Sequence, residues 1–184
     1  MDKPETRPLF ESHPLNRNQS NRHLVNRQVK KIVSGGQTGV DRAALDVAIA
    51  LGISHGGWCP RGRRSEDGPI DDQYQLVEVD ALDYSVRTEK NVIDSDGTLI
   101  LHFGPLTRGT SLTWKLARKH HRPILKIDLQ SHSTLLTVPS LHDWIEQQSI
   151  ETLNVAGPRE SSVPGIGDQV REFLTLVFAE NTEV

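Results

Sequence analysis

The stretch that decides the fold is KKIVSGGQTGVDRAALDVAIAL, residues 30–51. Its first apolar segment, 31–33, is typical of a short buried parallel strand. A glycine-rich turn, 34–39, follows directly, and a helical pattern begins after the turn. Thr38 is suited to cap this helix, with Asp41 three residues later in a variant of the capping box. The apolar residues then recur at the spacing of one helical face: Val40, Ala43, Ala44, Val47 and Leu51.

The glycine-rich turn admits two interpretations. The free N–H groups and the dipole at the start of a helix favour an anion, and glycine lets a ligand approach the backbone closely. The alternative is that the glycines only allow a tight packing turn. The pattern is neither a Walker motif nor G-x-G-x-x-G. Under the first interpretation, a phosphate is held by Gly35, Gly36, Gln37, Thr38 and Gly39, with Asp41 beside them.

Strand and helix patterns alternate along the rest of the chain. This alternation predicts a Rossmann-like α/β fold, with a mostly parallel sheet flanked by helices on both faces. Expected strands include 53–59, 76–79, 98–103, 123–129 and 152–156, and one helix is expected to start at a Ser140 cap. Ligands of such sheets bind at the carboxyl ends of the strands. Four polar turns follow strands directly and should meet at that edge: 34–39, 60–68, 104–110 and 157–165.

Composition limits the class of protein. The 184 residues carry a net charge of −3, which argues against nucleic acid as the partner of the whole molecule. Residues 1–28 are polar and predict a flexible N-terminal arm, or one that is ordered only on a neighbouring subunit. One ligand-binding domain is expected over 29–184. One cysteine excludes an internal disulfide. No apolar run is long enough for a membrane span and no secretory signal is visible, so we expect a cytoplasmic protein.

The second polar turn, PRGRRSEDGPIDD at 60–72, mixes both signs of charge. Arg61 and Arg63 could offer guanidinium groups to a phosphate, whereas Glu66 and Asp67 could meet a sugar hydroxyl or a metal. The alternative is a solvated loop with internal ion pairs. Cys59, just before the loop, is expected to be a small strand residue rather than a reactive thiol.

The third and fourth polar turns supply further candidates. Gly109 and Thr110 start a helix and repeat the chemistry of the first turn, where either an anion contact or a plain capped turn is possible. Arg159, in the turn after the last strand, could reach the same edge. The side chains of Arg87, Thr88 and Asn91 are unremarkable and predict surface residues or a small polar patch. No metal-ligand spacing is present in the sequence.

The motifs SGGQTGVDRAALD (34–46), GWCPRGRRSEDGPI (57–70), RTEKNV (87–92), RGTSLTWKLA (108–117) and LNVAGPRES (153–161) together resemble those of the "putative molybdenum carrier" proteins. That family belongs to a larger group of Rossmann-like domains, with the phosphoribohydrolases called lysine decarboxylase-like proteins and the DNA-processing protein of transformation. The resemblance implies a homo-oligomer, dimer or tetramer, and a pocket for a phosphate-bearing ligand such as molybdenum cofactor. It places the ligand against residues 35–39, with Arg61, Glu66, Gly109 and Thr110 nearby.

Three functions follow as hypotheses. The first is a carrier or sensor that binds molybdenum cofactor or a nucleotide without reacting with it. The second is a hydrolase of the N-glycosidic bond of a nucleotide, in which Glu66 or Asp67 supplies the catalytic carboxylate. The third is a nucleic-acid-linked module, which the balanced charge and few aromatic residues argue against.

Overall fold

The computed structural model describes residues 28–81, 83–106, 108–130 and 134–179. The predicted arm lies outside these ranges except for Gln28, whose side-chain amide donates to the Ile145 carbonyl at 3.2 Å. The flexible arm and the domain boundary at residue 29 therefore stay predictions.

Six parallel strands form the central sheet. In chain order they are β1 (Lys31–Val33), β2 (Ser54–Cys59), β5 (Leu76–Glu78), β6 (Gly97–His102), β7 (Ile124–Asp128) and β8 (Thr152–Ala156). Two further short strands, β3 (Arg64–Ser65) and β4 (Gly68–Pro69), pair antiparallel in a separate hairpin. The order across the sheet is β5-β2-β1-β8-β6-β7, so the last strand of the chain lies beside the first.

Five helices cover the two faces of the sheet: α1 (Val40–Ala50), α2 (Tyr84–Ile93), α3 (Arg108–Lys119), α4 (Thr134–Gln147) and α5 (Ile166–Phe178). The helices α1, α4 and α5 share the main core with the inner strands, and α2 and α3 pack around a smaller cluster that includes Val92 and Leu116. The predicted Rossmann-like α/β fold is thereby confirmed. None of the helices among the described residues is long and apolar enough to cross a membrane.

Two predicted helix starts are wrong. Gly39, with φ 76°, precedes α1 and no side chain caps it. The Thr38 hydroxyl oxygen, which would accept from a helix amide in a cap, accepts instead from the Glu160 amide at 3.4 Å, and its proton is donated to the Glu66 carboxylate. Helix α4 begins at Thr134 rather than at Ser140, and it contains Pro139. A proline usually indicates a helix boundary, and here the helix continues through it.

The parallel arrangement places the turns after β1, β2, β6 and β8 at one edge of the sheet. Because β8 pairs with β1, the turns after these two strands touch: the amide of Val40 donates to the Pro158 carbonyl at 3.3 Å.

Asn91 of α2 is buried and fastens this helix to β2, since its side chain accepts from the Trp58 amide at 2.7 Å and donates to the Trp58 carbonyl at 3.1 Å. For Asn91, the expectation of a surface residue is therefore wrong.

Candidate functional site

A cavity of about 300 Å³ opens at the carboxyl edge of the sheet. Its volume is at the lower end of the range for small-molecule sites. Four segments form its walls: the first turn, the start of α2, the start of α3 and the turn after β8. They contribute Gln37, Asp41, Tyr84, Arg87, Thr88, Arg108, Gly109, Leu112, Thr113, Ala156, Gly157, Pro158, Arg159 and Ser162.

The cavity is rich in positive charge. Three guanidinium groups line it, those of Arg87, Arg108 and Arg159, against the single carboxylate of Asp41. Arg87 already pairs with Asp41, with 3.2 Å between Nη1 and Oδ2. Among the described residues, Arg108 and Arg159 form no salt bridge. Two cations therefore remain available to an anionic ligand.

Asp41 and Arg87 form a buried pair, with side chains only 7% and 13% exposed. Burial raises the pKa of Asp41, and the Arg87 guanidinium acts in the opposite direction. The pair lies directly on the first turn: a Cβ atom at Gly35 would be 1.5 Å from Arg87 Nη1 and 2.8 Å from Asp41 Oδ2. Only glycine at position 35 leaves room for this ion pair.

An aromatic ring flanks the arginines. The guanidinium carbon of Arg159 lies 5.3 Å from the centroid of the Tyr84 ring, and that of Arg87 lies 6.0 Å from it. Both distances fit cation–π contacts, which orient the two side chains at the cavity wall. Tyr84 is 36% exposed, so part of its ring remains accessible.

The start of α3 offers backbone donors. Gly109 lies in the first turn of this helix, and a Cβ atom there would meet nothing within 4 Å. Thr110 beside it is buried and is not among the residues that line the cavity. The dipole at the start of α3, together with Arg108, favours an anion at this position of the cavity wall.

The other glycines of the first turn contact protein atoms. Gly36 has φ 73°, and its Cβ would lie 2.5 Å from Leu76 Cδ1. Gly39 has φ 76°, and its Cβ would lie 2.6 Å from the Pro158 carbonyl. These contacts agree with the alternative interpretation, in which the glycines allow a tight packing turn. Of this turn, Gln37 lines the cavity; it is 2% exposed, and its side-chain amide donates to the Arg64 carbonyl at 2.7 Å.

Glu66 fastens two turns to the hairpin. Its carboxylate accepts from the Thr38 hydroxyl, from the Ser161 amide at 3.2 Å and from the Ser161 hydroxyl at 2.5 Å. We call this set of Thr38, Glu66 and Ser161 the Glu66 clasp. Burial acts to raise the pKa of Glu66, but the hydrogen bonds from Ser161 and Thr38 outweigh it and lower the pKa below its usual value.

Asp67 has a similar fastening role. It pairs with Arg42 of α1, whose hydrogen bond is the main reason that the pKa of Asp67 is lowered. Neither Glu66 nor Asp67 lines the cavity. The structure therefore gives both candidate catalytic carboxylates partners within the protein, away from the cavity wall.

The arginines of the second turn also lie outside the cavity wall. Arg61 is exposed and pairs with Asp80 at 3.3 Å. Arg63 donates to four carbonyl groups at 2.7–3.2 Å and so shapes the loop that leads into β5; they belong to Ile70, Asp71, Tyr74 and Leu76. Cys59 is fully buried, and burial raises the pKa of its thiol, which agrees with a small strand residue.

Gln37, Asp41, Gly109 and Arg159 were predicted from the sequence to lie at one site, and all four line the cavity. The residues that α2 contributes were not predicted. Tyr84, Arg87 and Thr88 occupy one face of this helix, at i, i+3 and i+4. A polar helical face looks the same in a sequence whether it meets solvent or a ligand. The usable signal was the RTEKNV motif in the family resemblance, which contains Arg87.

No cluster of three or more His, Cys, Asp or Glu side chains that could hold a metal ion occurs among the described residues. Arginine donors suit the oxygens of a phosphate or another oxyanion.

A protein-family model and a solved structure match this chain. Residues 32–178 match the model of the circularly permutated YpsA SLOG family. The crystal structure of a "putative molybdenum carrier protein" from Syntrophus aciditrophicus SB matches with 46% sequence identity and a TM-score of 0.80, over 83% of this chain and 96% of that chain. A comparison with functionally curated proteins gives no match.

Proposed function

The chain belongs to the circularly permutated YpsA SLOG family, and on that premise we propose that it carries a phosphate-bearing small molecule in the cavity at the carboxyl edge of its sheet. The cargo would be molybdenum cofactor or a nucleotide. The molybdenum alternative follows the description of the Syntrophus protein. A homo-oligomer and a cytoplasmic location stay predictions.

The observation that carries the proposal is the charge balance of the cavity. Arg108 and Arg159 are two guanidinium groups that form no salt bridge among the described residues, at the wall of a cavity of about 300 Å³. A phosphate there would accept from both arginines and from the backbone at the start of α3. Tyr84 holds Arg159 and Arg87 at this wall through cation–π contacts.

The positions of the carboxylates favour a carrier of the intact ligand over a hydrolase of its glycosidic bond. A hydrolase of a glycosidic bond needs a carboxyl group beside the ribose. Glu66 and Asp67 are engaged elsewhere, and Asp41, the carboxylate that lines the cavity, is buried against Arg87. In this proposal Asp41 is a positioning residue that holds Arg87 across the first turn.

The test of binding compares three arginine variants. Isothermal titration with AMP, GMP and inorganic phosphate should show that Arg108→Ala and Arg159→Ala each weaken binding about tenfold or more, because each removes a charge-assisted hydrogen bond. Arg61→Ala is the matched control, since Arg61 is exposed and lies outside the cavity wall. Loss of affinity in Arg61→Ala alone would move the site to the second turn and refute the proposal.

The test of carriage follows the same nucleotides over time. The protein is incubated with AMP and GMP, and free base is measured by chromatography. We expect the nucleotides to be recovered intact. Release of base that stops in Glu66→Gln or Asp41→Asn would show that the protein is a hydrolase instead.

A further inference from the structure

The charges of this chain are strongly segregated. Between Gly97 and Ile127 there are six Lys and Arg residues and no Asp or Glu, although the whole chain has 24 acidic residues against 21 basic ones. The rest of the chain therefore carries a net charge of −9. Most of this basic stretch is α3 and β7, at one end of the sheet.

The basic side chains share one side of α3. Arg108, Lys115 and Lys119 follow at i, i+7 and i+11, which aligns them along the helix, and Arg118 lies next to that line. All four are exposed. Lys126 of β7 is also exposed, and β7 is an edge strand of the sheet. We call these five residues the α3 basic surface.

Few acidic groups neutralise this surface. Lys119 pairs with Glu89 of α2 at 2.8 Å, and His120 contacts the same carboxylate at 2.7 Å. Asp128, near Lys126 on β7, accepts from the backbone amides of Gly104 and Gln130. Among the described residues, no salt bridge involves the other four cations of the surface: Arg108, Lys115, Arg118 and Lys126.

An aromatic side chain lies at the centre of the α3 basic surface. The half-buried ring of Trp114 has Arg118 5.0 Å and Lys126 5.6 Å from its centroid. Tryptophan and arginine are the residues that most often dominate the binding energy of protein interfaces. The same ring is a poor stacking platform for nucleic-acid bases, because two cations of its own chain already lie against it.

We propose that the α3 basic surface is the docking site for a protein that presents a cluster of carboxylates. Charge complementarity carries this assignment, and it also raises the rate of encounter with such a partner. The inference does not require the proposed function. If that function holds, Arg108 belongs both to the cavity wall and to the docking surface, so the partner would meet the protein where the cargo enters.

The experiment uses the full chain, poly-L-glutamate as the acidic probe and a single-stranded oligothymidylate as the nucleic-acid probe. The variant Lys115→Glu/Arg118→Glu reverses two exposed charges of the surface, neither of which lines the cavity. The control Arg61→Glu/Arg64→Glu makes the same change of net charge at two exposed residues of the second turn. Binding is measured at low and at physiological salt.

We expect the unmodified protein to bind poly-L-glutamate with an affinity that falls as salt rises. The affinity of the α3 variant for poly-L-glutamate should be at least about tenfold lower, and the affinity of the control should fall clearly less. No binding, or an equal loss in both variants, would overturn the proposal. Tighter binding of oligothymidylate that the α3 variant abolishes would identify nucleic acid as the partner and also overturn it. Nucleotide titrations on the same variants report separately on the cavity, which the α3 substitutions leave intact.

Discussion

At the scale of single residues, glycine has two different uses in the first turn. Gly35 leaves space for the buried Asp41–Arg87 pair at the cavity, whereas Gly36 and Gly39 combine positive φ with close packing against other protein atoms. The sequence predicted that glycine was needed here but could not tell these uses apart. Both depend on side chains that arrive from distant parts of the chain, Arg87 and Leu76.

This distinction predicts the effect of substituting Gly36. Gly36→Ala should destabilise the fold, because a Cβ meets Leu76 at 2.5 Å in addition to the cost of φ 73°. Gly52→Ala is the matched control, with φ 67° and nothing within 4 Å of the added Cβ. We expect about 1 kcal/mol of lost unfolding free energy in the control and at least about 1 kcal/mol more in Gly36→Ala, measured by urea unfolding. Equal losses would show that packing at Gly36 is unimportant.

At the scale of elements, the hairpin of β3 and β4 connects parts of the chain that are far apart in sequence. The Glu66 clasp joins this hairpin to the turns after β1 and β8, and Asp67 joins it to α1 through Arg42. Most strand and helix positions were predictable, because each has the apolar spacing of its type. The clasp was not, because a charged loop in a sequence does not reveal which turns it will reach.

The clasp predicts a specific dependence of stability on pH. The folded-state pKa of Glu66 is lowered by Ser161 and Thr38, so the ionised carboxylate stabilises the protein above the unfolded-state pKa of 4.5. That contribution is lost as the pH falls below 4.5 and through the lower folded-state value. The difference in unfolding free energy between the unmodified protein and Glu66→Gln should therefore be constant near neutrality and shrink under acid.

Urea unfolding of both proteins at a series of pH values measures this difference directly. Titration of the other carboxylates largely cancels, because both proteins contain them. Ser161→Ala removes the hydroxyl hydrogen bond to Glu66 but keeps the bond from the backbone amide, so it should reduce the pH dependence in part. A difference that stays constant from neutral to acid pH would rule out the clasp as a stabilising contact.

At the scale of the whole molecule, strand order decides where the cavity lies. β8 is the last strand along the chain, yet in the sheet it lies between β1 and β6. This brings Arg159 beside the first turn and opposite the starts of α2 and α3. The α/β class followed from the alternation of elements, but the order of strands did not, because buried apolar strands such as TLNVA carry little information about their neighbours.

The proposed binding site can be checked by locating the phosphate in a bound complex. A crystal structure of the full chain, grown with the tightest-binding nucleotide from the titrations, would locate the phosphorus atom. We expect phosphate oxygens within about 3 Å of the guanidinium nitrogens of Arg108 and Arg159 and near the amides that start α3. Phosphate bound instead at Arg61 in the second turn, with the cavity left without nucleotide, would contradict it.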